Sequence, residues 1–138
     1  MKKSKWTSSL TIVILLVMVL VCVGAGKSKK PRRVLVTVTG YCPCKICCGE
    51  HADGKTSTGR SAWKAGVAVD PEFIALGSHI DIPENIYKRG PNNNGSWIKA
   101  DDVGGKIKGM QIDLRFLYHW KAKKVGRRKI WVRIHDRG

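Results

Sequence analysis

Asp102 and Asp113 lie eleven residues apart in Asp102-Val103-Gly104-Gly105-Lys106-Ile107-Lys108-Gly109-Met110-Gln111-Ile112-Asp113, with three glycines between them. A third acid, Asp70, follows the apolar run Val67-Ala68-Val69 and precedes Pro71. The chain has only 10 Asp and Glu against 26 Lys and Arg, so acids at glycine- and proline-marked positions point to a site rather than to solubility. Glycine permits positive φ and close backbone approach, which lets such a loop hold a carboxylate beside a large ligand. Carboxylates that share a cleft can keep a proton at working pH, because like charges disfavour joint ionisation. Asp before Pro is also a common turn pairing, which is the structural reading of Asp70. Asp101 reads as a solvent-facing neighbour of Asp102.

A second cluster lies at Tyr41-Cys42-Pro43-Cys44-Lys45-Ile46-Cys47-Cys48-Gly49, four cysteines within seven residues. Outside the cytosol, clustered cysteines in even number usually form disulfides, with Cys47 and Cys48 each pairing back to Cys42 or Cys44. Four thiolates with His51 close by offer the alternative of zinc, although one knuckle alone is fewer than zinc sites usually draw on. Free thiols are the remaining reading, and in every case the cluster staples the loop after the first strand. His119 and His135 have no partner spacing and are left unassigned.

The elements that must position these groups are short. Residues 33–39 form a β-branched strand, broken by Gly40 and Pro43. Residues 42–60 read as a long pinned loop. Further strands are expected at 66–69, 78–82, 97–100, 111–115 and 129–134, and one short helix within 116–125, closed at Gly126. Residues 88–96 read as an exposed hairpin loop. Six short strands with glycine turns and one brief helix argue for an all-β fold, a small closed barrel, rather than a layered parallel sheet. Trp120 and Trp131 are expected in the core. Trp63 and Trp97 suit either the core or an exposed face that stacks on a ligand.

The first 25 residues stand apart as a signal peptide or N-terminal membrane anchor. Lys2, Lys3 and Lys5 precede an apolar run over 10–23 and then Gly24-Ala25-Gly26. Cys22 lies in that run. Residues 26–33 form a basic linker, with five basic side chains over 27–33, and residues 34–138 the folded domain. The formal net charge of +16 implies polyanionic partners. For an exported chain these are anionic wall polymers or a membrane surface. No nucleic-acid motif accompanies the basic run, and no nucleic acid is expected.

Gly66-Val67-Ala68-Val69-Asp70-Pro71-Glu72-Phe73-Ile74-Ala75-Leu76-Gly77-Ser78 resembles the first signature of the 3D (three-aspartate) domain. Asp102-Val103-Gly104-Gly105-Lys106-Ile107-Lys108-Gly109, followed by Ile112-Asp113-Leu114, is similar to its second signature. The Asp-Val-Gly-Gly form is also similar to the catalytic barrel of membrane-bound lytic transglycosylase A. Thr56-Ser57-Thr58-Gly59 and the closing strand after Val125-Gly126-Arg127-Arg128 match in order, so the resemblance covers about residues 34–134.

The resemblance implies a double-psi β-barrel whose three aspartates, here Asp70, Asp102 and Asp113, line one cleft. It implies cleavage of peptidoglycan glycan strands without water, leaving a 1,6-anhydro sugar. Asp113 takes the acid/base role, Asp102 raises or orients it, and Asp70 assists from the facing loop. Tyr41 and Thr58 fall on family positions near the cleft, and Lys106 and Lys108 suit lactyl or peptide carboxylates. No cofactor is implied beyond the zinc alternative at Cys42, Cys44, Cys47 and Cys48. The competing expectations are a non-catalytic, expansin-like wall-binding barrel and a cysteine-based metal or redox module.

Overall fold

The computed structural model describes residues 29–83, 85–87 and 97–137. The leader with Cys22, part of the basic linker and the expected hairpin loop at 88–96 lie outside the described residues. Among the described residues no helix is long and apolar enough to cross a membrane.

Six strands form a closed barrel: β1 (Arg32–Tyr41), β2 (Val67–Val69), β3 (His79–Asp81), β4 (Trp97–Asp102), β5 (Gln111–Arg115) and β6 (Arg128–His135). Their order around the barrel is β1-β5-β2-β4-β3-β6. β1 runs parallel to β5 and β2 parallel to β4, and the other contacts are antiparallel. Two parallel pairs reached through long connections give the crossed-over, double-psi type of barrel that the motifs imply. β1 begins at Arg32, so Arg32 and Arg33 belong to the barrel as well as to the basic run.

Period-two alternation builds the interior. Val36 and Val38 of β1, Ile98 and Ala100 of β4, Ile112 and Leu114 of β5, and Val132 and Ile134 of β6 are all buried. This narrow interior is filled by aliphatic side chains of the size that six strands enclose. The expected core positions of Trp120 and Trp131 are therefore corrected: they are 62% and 52% exposed. Trp131 points outward between Ile130 and Val132, with the Arg33 guanidinium 4.9 Å over its ring. Trp63 and Trp97 are exposed too. Trp97 stacks on His135, with ring centroids 4.2 Å apart.

Among the described residues two short α-helices accompany the barrel where one was expected. α1 (Lys45–Cys48) is a single turn inside the cysteine loop. α2 (His119–Val125) buries Ala122 and Val125 against the barrel and ends at Gly126.

Candidate active site

The barrel register places the acids. Thr39 of β1 faces Asp113 of β5, Asp113 faces Ala68 of β2, and Ala68 faces Asp102 of β4. These four residues form one lateral row across four neighbouring strands. At the usual strand spacing, the Asp102 and Asp113 backbones are separated by about 10 Å. Ala68, the smallest member of the row, leaves the space between them open.

A register shift between Val67 and Ala68 makes the row possible. Val67 pairs with Ala100, while Ala68 pairs with Asp102, so Asp101 is an extra residue on β4. Such a bulge re-aims the side chains that flank it. Asp102 joins the row, and Asp101 turns into the protein, where it is 1% exposed. The expectation of a solvent-facing Asp101 is thus corrected.

Asp101 pairs with Arg115, a fully buried side chain. Arg115 Nη2 donates to both Asp101 oxygens at 2.8 Å, and Arg60 Nη1 donates to Asp101 Oδ2 at 2.5 Å. Arg115 Nε donates to the Lys64 carbonyl, and its Nη1 donates to the Tyr41 hydroxyl at 3.0 Å. A buried ion pair is tolerated only with such complete hydrogen bonding. Gly66 has to be glycine here, since an added Cβ would occupy the space of the Arg115 guanidinium and the Asp101 carboxylate. Sequence reasoning missed Arg115 altogether. Its only signal was a basic residue closing a strand that alternates polar and apolar side chains.

Tyr41 carries this pair to the cleft. Its hydroxyl accepts from Arg115 and donates to Asp102 Oδ2 at 2.7 Å. Burial pushes the Tyr41 phenol well up, so it stays protonated and remains a donor. Asp102 Oδ1 accepts from the backbone amides of Ser57 at 2.9 Å and Val103 at 3.0 Å. Arg115 Nη1 lies 3.5 Å from Asp102 Oδ2. Asp102 is therefore clamped from three sides.

Asp113 is held differently. Its Oδ1 accepts from the Thr39 hydroxyl at 2.8 Å. Burial raises its carboxyl to about 6; the Thr39 hydrogen bond opposes the rise and the Asp102 charge adds to it. Asp102 is fixed by several donors, while burial gives Asp113 a carboxyl that exchanges its proton at about pH 6. Such different surroundings suit two carboxylates to different roles.

Both acids open onto a cleft of about 560 Å³, lined also by Tyr41, Ser57, Ala68 and Lys106. Three expected site residues do not line it. Asp70 turns away: its Oδ2 accepts from the Gly109 amide at 2.8 Å and its Oδ1 from the Glu72 amide at 3.2 Å. These bonds, led by that from Gly109, hold the Asp70 carboxyl below its ordinary value. Gly109, with φ of 60°, adopts the left-handed turn that this contact needs. Lys108 lies near Asp70 and contributes to that lowering. Thr58 donates its hydroxyl to the Asp101 carbonyl at 2.8 Å, supporting the bulge instead of facing the cleft.

The cysteine loop forms one wall of the cleft through Pro43, Cys47, Cys48 and His51. The four cysteines are free thiols, in place of the expected disulfides. Cys42, Cys44 and Cys47 turn their sulfurs towards the His119 ring of α2, so the histidine partner is His119 and not His51. Cys48 points elsewhere, donating to the Cys42 carbonyl at 3.3 Å. The Cys42 thiol is pushed up by burial, and the hydrogen bond it donates holds the Cys44 thiol down.

The sequence model of the 3D domain matches residues 65–135 of this chain. No curated protein matches it significantly. Among solved structures, the E. coli lytic transglycosylase MltA in an apo form is similar, at 22% identity and a TM-score of 0.39. That match covers 58% of this chain, and the chain spans about a quarter of the MltA chain, 26%.

Proposed function

The chain belongs to the 3D domain family, and we propose that it is a peptidoglycan lytic transglycosylase of the cell envelope. It would cleave the bond between N-acetylmuramic acid and N-acetylglucosamine without water. The observation that carries this reading is Asp113, a carboxyl raised to about 6 by burial and facing an open cleft with Asp102 in the same row.

In its acid form Asp113 gives its proton to the glycosidic oxygen as the C1–O bond breaks, with the bonding electrons leaving on that oxygen. The Asp113 carboxylate then takes the proton of the muramyl 6-hydroxyl, whose oxygen closes on C1. The proton is returned to Asp113 and a 1,6-anhydro ring results. Only one proton carrier is needed, whereas a hydrolytic glycosidase needs two carboxylates in separate roles. The second acid is free to act through charge. Asp102, clamped by Tyr41 and two amides, steadies the positive charge that develops on the sugar ring. Lys106 on the cleft wall suits the lactyl or peptide carboxylates of the glycan strand. The basic surface favours an anionic wall.

The test is to incubate the full chain with purified peptidoglycan and analyse the soluble products by mass. Anhydro-muropeptides that disappear with Asp113→Asn support the proposal. Binding without products, equal for wild type and variant, would replace it with the wall-binding reading.

A further inference from the structure

We propose that Cys42, Cys44, Cys47 and His119 form a structural zinc site that locks the cysteine loop to α2 and so holds one wall of the cleft in place. The four donor atoms, three sulfurs and the His119 Nδ1, all lie within 4.8 Å of one another. Zinc held by three sulfurs and one nitrogen is tetrahedral, with donor-to-donor edges of roughly 3.5–3.8 Å. The three sulfurs stand 3.7, 3.7 and 3.4 Å from His119 Nδ1, and Cys42 and Cys47 are 3.5 Å apart. The Cys42 and Cys44 sulfurs, at 2.8 Å, part by about 1 Å to complete the tetrahedron.

The local chain is shaped for this. Cys44 and Cys47 have the Cys-x-x-Cys spacing of a zinc knuckle, and the turn of α1 brings both sulfurs to one side. The backbone amides of Cys47 and Cys48 both donate to the Cys44 carbonyl, at 3.1 and 2.9 Å, and close the tight turn that carries Cys44 and Cys47. Cys42 adds a third sulfur from the end of β1, and His119 comes from the first residue of α2, far along the chain. Cys48 is excluded because its thiol is turned to the Cys42 carbonyl.

The donor set selects the metal. Three soft thiolates with one imidazole and no oxygen ligand favour zinc over calcium or magnesium. Four protein ligands leave no open position, so the site is structural and not catalytic. Its position gives it a task. Cys47 and its neighbour Cys48 line the cleft, and Cys42 follows Tyr41, the residue that clamps Asp102. The site stands whether or not the cleft cuts glycan.

The full chain, produced with zinc and purified under a thiol reductant, should carry one zinc per chain by elemental analysis. Cobalt(II) in its place should show tetrahedral visible bands with sulfur-to-metal charge transfer. Removing the metal with a chelator should lower the unfolding midpoint by about 10 °C or more, restored by zinc salt alone. His119→Ala and Cys44→Ser should lose the metal. Cys48→Ser should keep it, with unchanged cobalt bands, which guards against loss through simple misfolding. The proposal is overturned by metal-free protein under these conditions, by mass mapping that finds disulfides among Cys42, Cys44 and Cys47, by metal retained in His119→Ala, or by metal lost only in Cys48→Ser.

Discussion

Asp113 and Asp102 stand in one lateral row of the barrel, two strands apart, with only the methyl group of Ala68 between them. The two side chains differ in their partners. Asp102 accepts from a phenol and two amides, while Asp113 accepts from a single hydroxyl and has its proton affinity raised by burial.

Replacing the proton carrier should abolish turnover while leaving the fold intact. Asp113→Asn is expected to lower the rate of anhydro-product formation by about 10²–10⁴-fold. The wild-type rate should fall as pH rises through about 6, since the acid form of Asp113 starts the reaction. A rate profile flat from pH 5 to 8 would show that another group carries the proton.

The same substitution should stabilise the folded protein at neutral pH. The folded Asp113 carboxyl binds its proton more tightly than the unfolded one, 3.8 rising to about 6. Stability from this group is therefore full below about 3.8 and is lost as pH rises towards 6. Asp113→Asn avoids that loss, so at pH 7–8 it should gain on the order of 1–3 kcal/mol, and near pH 3.5 almost nothing. Urea unfolding at both pH values measures the difference; a variant weaker than wild type at pH 8 contradicts the assigned burial effect.

The pair beneath the cleft should be far more sensitive than either surface charge. Arg115→Met leaves the buried Asp101 carboxylate with Arg60 alone, and about 3–5 kcal/mol of stability should go with it. Arg115→Met combined with Asp101→Leu should recover part of that loss, because no uncompensated charge remains. Gly66→Ala should destabilise through the same pair by displacing the guanidinium. Thermal unfolding of the three variants checks the order; equal losses for the single and double variants would argue against a charge effect.

Asp70 should behave as a turn-holding residue. Its lowered carboxyl supports the fold above its ordinary value and loses that support as pH falls through the lower folded value. Asp70→Ala should therefore lower the unfolding midpoint at pH 7 and leave the pH dependence of turnover unchanged. A shifted rate profile in this variant would return Asp70 to the cleft.

Much of the barrel was legible in the chain itself. The alternation of Val36 and Val38, Ile112 and Leu114, and Val132 and Ile134 marks strands with one buried face, because a strand's side chains point to opposite faces in turn. The helix ending at Gly126 was also readable, as were Asp102 and Asp113 at the edge of a glycine loop. Such signals are local, and local geometry depends on residue type within a few positions.

What the tertiary structure alone decided concerns partners distant in sequence. The bulge on β4 sends Asp101 inward and Asp102 to the cleft, and it arises from pairing with β2, not from β4 itself. Arg115 becomes the buried counter-charge because the loop ending at Gly66 closes over it. His119 meets the cysteines because α2 packs along β1. The raised carboxyl of Asp113 is likewise a property of its surroundings, since burial and neighbouring charge exist only once the barrel has closed. The chain by itself determined which residues were available for chemistry and on which strands they sit. Closure of the barrel determined which of them face one another.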